Sequence, residues 1–170
     1  GEKINLFGDI QYRKINYEFE GYGDNLSLIN QTVTHNFINP KVGLQFNPNN
    51  KNKLYAFYGI ANKEPSRTDY VESSPISRPL HETLYNTELG YQFSSKNHSF
   101  NINLYHMNYK NQLVLNGQIN DVGAYTRINI DKSYRMGIEL NYFGQITNNL
   151  FLNTNATISK NKIKEFTEYI

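Results

Sequence analysis

The stretch from 99 to 143 alternates, and that alternation restricts the fold more than any other feature of the chain. In its second half Tyr134, Met136, Ile138, Leu140 and Tyr142 are apolar and share one face, while Arg135, Gly137, Glu139 and Asn141 share the other. A period of two marks a β-strand, whose successive side chains point to opposite sides. The first half begins in the same way, with Phe100, Ile102 and Leu104 set against Asn101, Asn103 and Tyr105. The polar link NGQINDVGAY joins the halves, with Gly117 and Gly123 as turn formers. The stretch therefore reads as one long antiparallel hairpin. Its polar face is rich in asparagine and poor in lysine and glutamate, whereas a soluble sheet usually solvates its outer face with charge. One face in lipid and the other on a wet lumen accounts for the pattern.

Composition supports this reading. The chain has 170 residues, enough for one domain, with 38% hydrophobic and 19% charged residues. Both fractions are low for a globular protein. A membrane β-barrel escapes such averages, because only every second strand residue meets lipid. No run approaches the ~18 apolar residues that a membrane-spanning helix needs. Net charge is +2 and no basic run occurs, so nothing points to nucleic acid. Cysteine is absent, which excludes disulfides and Cys-ligated metal. No signal peptide opens the chain, and we expect it to be a piece of a longer protein.

Further alternating segments flank the hairpin. Residues 2–20 read as one long strand, with Ile4, Leu6, Ile10 and Tyr12 followed by a second set, Ile15, Tyr17 and Phe19. A strand of this length exceeds the ~9–11 residues that cross a bilayer and would project beyond it. Residues 21–39 look polar and irregular. Val42, Leu44 and Phe46 alternate, 47–52 form a turn, and 54–61 form a strand. The link 62–82 carries Pro65, Pro75 and Pro79, which preclude a central strand there. Tyr85 to Phe93 alternates again, and a last strand runs from 150 to about 160. No helical period of useful length occurs. The result is seven strands whose connections alternate long and short. On the rule that outer-membrane barrels have long extracellular loops and short periplasmic turns, 21–39, 62–82 and 116–126 lie outside. Turns 47–52, 94–98 and 144–149 then lie in the periplasm.

Four stretches resemble the C-terminal half of the barrel in TonB-dependent outer-membrane receptors: NKEPSRTDY (62–70), LHETLYNTELGYQF (80–93), NINLYHMNYKNQLVLNGQINDVGAYTRIN (101–129) and SYRMGIEL (133–140). The third is the most specific, and the asparagine-rich usage is similar to that of Bacteroidetes receptors. The resemblance covers about residues 40–165. It implies an all-β, antiparallel transmembrane barrel, of which these seven strands are part of a larger, 22-stranded whole. It also implies a plug domain and closing strands outside this chain, and coupling to the TonB energy-transducing complex through that plug. The implied activity is uptake of a scarce solute across the outer membrane, most readily a ferric siderophore or other iron chelate. Glu64-Pro65-Ser66-Arg67 stands where haem receptors of the family carry an FRAP-like motif, but Arg78-Pro79-Leu80-His81 departs from their NPNL-like one, which favours a siderophore over haem. No cofactor or resident metal is implied, and the expected surroundings are outer-membrane lipid.

Candidate site residues follow from position. Arg67, Asp69, Tyr70, Arg78 and His81 lie in the longest outer link, where arginine and tyrosine suit an anionic, aromatic chelate. They serve equally well to order the loop itself. Glu88, Arg135 and Glu139 fall on the polar face, as contacts to a plug or as pairs along the wall. His35, His81, His98 and His106 are far apart in sequence and no pair has metal-ligand spacing. Catalytic constellations are missing: there is no nucleophile elbow, no phosphate loop and no His-Glu-x-x-His, so the chain does not read as an enzyme. A small complete barrel of about eight strands, with a structural or adhesive role, is the alternative reading.

Overall fold

The computed structural model describes residues 3–23, 26, 28–71, 73, 78–119, 123 and 125–164. They form one antiparallel sheet in which β1 (Ile4–Phe19), β2 (Gln31–Asn49), β3 (Asn52–Lys63), β4 (Glu82–Ser94), β5 (His98–Ile119), β6 (Tyr125–Thr147) and β7 (Leu150–Ile163) pair in chain order. A single helical turn, α1 (Arg67–Val71), interrupts the connection from β3 to β4. Among the described residues, none belongs to a helix long and apolar enough to cross a membrane.

The registers align the apolar positions into one continuous belt. Leu6 opposes Leu44, Leu44 opposes Ala56, and Ala56 opposes Leu89. Leu89 opposes Leu104, Leu104 opposes Ile138, and Ile138 opposes Ile158. These side chains face outward: Leu6 is 78% exposed and Ile158 73% exposed. A soluble sheet would bury such a row, but in a bilayer it meets acyl chains. The opposite face carries Asp9, Gln11, Asn103, Glu88 and Glu139, which line the interior. Glycines there make room for large rings. Gly90 lies directly opposite Tyr55, and a side chain at Gly90 would collide with that ring. Gly137 stands in the same relation to Tyr105, whose hydroxyl would lie 2.7 Å from an added Cβ.

In β1 the apolar face changes sides. Ile4, Leu6, Ile10 and Tyr12 point outward, but Ile15, Tyr17 and Phe19 point inward, although the β1–β2 register shows no bulge. Phe19 is only 5% exposed and Phe37, on the inward face of β2, 3%. The change marks where the strand leaves lipid. Beyond that point water is outside, and apolar side chains turn toward the protein.

Strands run further than their hydrophobic pattern indicated. Residues 31–39, expected to be irregular, are the first half of β2. Thr32, Val33 and Thr34 favour extended backbone, and the projecting end of β1 needs a partner, so Phe19 pairs with Gln31. The expected link 116–126 shrinks in the same way, because β5 reaches Ile119 and β6 starts at Tyr125. Gly117, at φ 82°, sits in a register irregularity between Leu115 and Ile119 rather than in the turn itself. The turn 144–149 contracts to two residues between Thr147 and Leu150. Between β2 and β3 the side chain of Asn49 accepts from the backbone N–H of Lys51 and Asn52, at 2.9 and 3.0 Å. In the 62–82 link, Pro65 and Pro79 lie outside the strands as expected, whereas Pro75 lies outside the described residues.

Pro40 lies within β2, opposite Ile10. It has no N–H to donate. The β2–β3 ladder accordingly begins at Lys41–Gly59. Above it, Asn39 Oδ1 accepts from the Asn62 backbone at 3.0 Å and from the Asn62 amide at 2.9 Å. Gln11 accepts from Asn39 at 3.1 Å and Asn62 accepts from Thr83 at 2.8 Å, so side chains stitch β1 to β4 at this level. Asn39 and Thr83 are buried.

Candidate functional site

The connection from β3 to β4 folds inward over the ends of the strands that the loop lengths assign to the outside. Ser66 and Asp69 start α1 with a reciprocal capping box. Asp69 Oδ2 accepts from the Ser66 backbone N–H at 2.8 Å, and Ser66 Oγ accepts from the Asp69 N–H at 3.3 Å. The turn drives Tyr70 into the sheet, where it is 1% exposed. Its ring lies 5.5 Å from Phe19, 6.0 Å from Tyr17 and 6.3 Å from His35. Tyr70 Oη and His35 Nε2 are 2.6 Å apart. On the far side, Arg127 of β6 donates to Asp69 at 3.1 Å. Asn129, also on β6, accepts from the Leu80 N–H at 2.7 Å and donates to the Leu80 carbonyl at 3.0 Å. The segment is therefore a strut that ties β1–β2 to β6 across the concave face.

A charged and aromatic cluster lies beneath the strut. Arg13 Nη2 donates to Glu64 at 2.6 Å and to the Asn62 carbonyl at 3.0 Å, and the guanidinium sits 5.2 Å above the Phe37 ring. Phe37 contacts His81 edge-on at 5.2 Å and stacks on His35 at 5.3 Å. The two histidines, 46 positions apart by number (81 − 35), come within 6.1 Å of each other. Sequence spacing gave no sign of this, because the contact joins β2 to the end of the β3–β4 connection, which only the folded sheet brings together.

Electrostatics follow from burial. Burial lowers the His35 pKa below its ordinary value, and neighbouring His81 lowers it further, so the ring is held neutral. His35 Nε2 and Tyr70 Oη share one hydrogen bond, whose direction is set by the tautomer of the ring. Burial pushes the Tyr70 hydroxyl up to about 12, with Tyr17 adding to the rise and the Arg78 charge opposing it. Burial also favours the neutral form of Asp69. The hydrogen bonds from Ser66 and the Arg127 guanidinium outweigh it and leave the carboxyl below its ordinary value.

The structure divides the five outer-link candidates. Asp69 and Tyr70 are turned inward and fully engaged, so they hold the strut together. Arg67 is exposed and makes no hydrogen bond or ion pair among the described residues. Arg78 is exposed near Tyr70, and His81 is half-buried in the aromatic cluster. Arg13 and Glu64 belong to the same cluster, although only the pairing register reveals it. Among the described residues, no group of three or more His, Asp or Glu could hold a metal ion.

Lower on the interior wall, Glu88, Arg135 and Glu139 share the inward face, as their alternation indicated. Asn103 accepts from the Tyr55 hydroxyl at 3.1 Å and donates to Glu139 at 3.4 Å. Asn86 donates to Glu88 at 2.7 Å. The Arg135 guanidinium lies 5.4 Å from the Tyr109 ring centre. Among the described residues Arg135 and Glu139 form no ion pair with each other.

Comparison with known proteins agrees with this architecture. No curated protein matches the chain. Among solved structures, the FrpB iron transporter from Neisseria meningitidis (F3-3 variant) superposes with a TM-score of 0.73 at 19% identity, over 95% of this chain and 24% of that one. The copper transporter OprC gives 0.83 at 14% identity, over 96% and 27%. The ferric-catecholate import receptor Fiu from K12 E. coli gives 0.67 at 17% identity, over 98% and 26%. The chain thus spans about a quarter of the length of these structures, and at such identities the likeness is one of fold. The family described as "TonB dependent receptor-like, beta-barrel" matches residues 5–168, nearly the whole sheet. With its outward apolar belt, its wet interior face and its long connections on one side, the chain belongs to this family of outer-membrane receptor barrels.

Proposed function

We propose that this chain is part of the barrel of a receptor that takes up a scarce solute across the outer membrane, with a ferric siderophore or other iron chelate as cargo. The observation that carries the reading is the family match over residues 5–168. Two structural neighbours, an iron transporter and a ferric-catecholate import receptor, support iron as the cargo. Arg67, Arg78 and His81 are the ligand-facing candidates. Two arginine side chains beside His81 suit an anionic chelate with aromatic groups, through charge-assisted hydrogen bonds and guanidinium stacking. Asp69 and Tyr70 act behind them by holding the strut. Glu88, Arg135 and Glu139 would face a plug domain, which would link the barrel to the TonB complex.

Uptake of labelled ferric chelates by cells with and without the complete receptor tests the proposal. Loss of uptake for one chelate class, and a raised half-saturation concentration in Arg67→Ala and Arg78→Ala, is the expected result. Unchanged uptake of every ferric chelate in receptor-deficient cells would sink the iron reading and leave the barrel intact.

A further inference from the structure

At the end of the sheet away from the strut, three lysines gather on the interior side of the wall. Lys3 lies one residue before β1 and shares its side of the strand with Asp9 and Gln11. Its carbonyl accepts from the Asn47 N–H at 2.7 Å, which continues the β1–β2 ladder. Lys53 opposes Gln92, two positions from the Tyr55–Gly90 pair, so both face inward. Lys51 stands in the turn between β2 and β3, and its carbonyl accepts from the Ser94 N–H at 2.7 Å. The three lysines, with Asn47, Gln92 and Ser94, line a groove of about 380 Å³. That size admits a small solute.

The groove has no internal counter-charge. Among the described residues no Asp or Glu lines it, and none of the three lysines forms an ion pair. Three like charges around one recess repel unless an anion sits among them. A neutral donor is available as well. Asn47 Oδ1 accepts from Gln45 at 3.1 Å, but its amide N–H groups find no partner among the described residues. The groove opens on the interior face, behind the apolar belt, so lipid does not reach it. The two ends of the wall also carry different cations. Arg13, Arg67 and Arg78 stand at or beside the strut, whereas this groove has lysine alone. Arginine's planar fork holds paired oxygens in a fixed geometry, while lysine is a hydrated point charge that imposes none. The first suits capture and the second suits release. Ten strand positions separate Lys3 from Arg13 (13 − 3), roughly 33 Å along β1.

We infer that Lys3, Lys51 and Lys53 form a second anion site, at the end that the short turns assign to the periplasm, where a polyanionic chelate pauses as it leaves the barrel. The inference rests on the uptake reading above. The ammonium groups meet the chelate oxygens, and Asn47 and Gln92 donate neutral hydrogen bonds.

Equilibrium dialysis of the purified complete receptor tests the site with three labelled probes: ferric tris-catecholate, which is a trianion, the neutral ferric tris-hydroxamate, and citrate. The tris-catecholate should occupy two sites. One should disappear in Arg67→Ala with Arg78→Ala. The other, weaker site should lose about tenfold or more in affinity in the triple variant Lys3→Gln, Lys51→Gln, Lys53→Gln. Citrate should also bind at the lysine site, and the neutral chelate should not. The matching triple arginine variant should keep the weaker site, which separates lost charge from lost folding. In cells, the glutamine variant should import saturating tris-catecholate several-fold more slowly. A single, arginine-dependent site would overturn the inference and leave the iron reading standing; the same result is expected if an acidic segment of the receptor itself fills the groove. A single, lysine-dependent site would support the anion groove and count against the iron reading. Equal binding of the neutral chelate at the lysines, or unslowed import by the glutamine variant, would also overturn the inference.

Discussion

The belt of β1–β7 and the end of β1–β2 that projects beyond it use the same kinds of residue in opposite ways. In the belt, Leu6, Leu44, Leu104 and Ile158 point away from the protein. At the other end of β1–β2, Tyr17 and Phe19 point into it and are covered by Tyr70, and Phe37 is buried between His35, His81 and Arg13. A single strand, β1, contains both regimes without a bulge. The solvent outside differs, and each stretch directs its apolar side chains away from water. The belt therefore depends on the bilayer, whereas the outer cluster depends on its own packing.

Perturbing each region separately tests that contrast. The largest effect is expected for Tyr70→Ala, which removes a fully buried ring and the partner of His35. A loss of about 3–5 kcal/mol in local stability is typical for such a truncation. Hydrogen exchange of the complete receptor should show residues 66–71 losing protection while the belt strands keep theirs. Loss of protection throughout the sheet would mean that the two regions are not independent.

Leu104→Arg comes next. A charge on the lipid face near mid-membrane costs about 2–4 kcal/mol, and urea unfolding of the receptor in vesicles would measure it. The same assay on Lys14→Glu, above the belt, should register within about 0.5 kcal/mol of wild type. Equal losses at both positions would contradict the boundary drawn at Tyr12.

Asp69→Ala should cost about 1–2 kcal/mol, through the capping box and the bond from Arg127. Exchange at 66–71 should rise, but less than in Tyr70→Ala. The smallest effect is a pH response of the strut. The folded pKa of His35 lies below the ordinary 6.5. Its contribution is complete above that value and is lost as pH falls through the lower folded one. Protonation makes both ring nitrogens donors and places a charge in the half-buried aromatic cluster. Protection at residues 66–71 should therefore decline as pH drops below about 6.5, and His35→Gln should abolish that step.

The sequence carried most of the fold. Alternation in 99–143 located the central hairpin. The same alternation put Glu88, Arg135 and Glu139 on the inner wall. Strand ends were less legible. Residues 31–39 lack the apolar alternation of the belt, and they are extended because β1 supplies a matching edge. The site was only partly legible. Arg67, Arg78 and His81 could be named from their link, but the roles of Asp69 and Tyr70 could not. Ser66-x-x-Asp69 is a capping signal in the sequence, although nothing local says that Arg127, 58 residues away, completes it.

Two properties come from the sequence alone: a period of two with unlike faces, and a chemistry of the inner face too poorly charged for open solvent. Both are local, since each residue's side of a strand depends only on parity. Tertiary structure alone decided that Arg13 meets Glu64, that His35 lies beside His81, and that Lys3, Lys51 and Lys53 line one groove. Each of these contacts depends on how paired strands carry their ends and connections together, and that is set by the sheet as a whole rather than by any one segment.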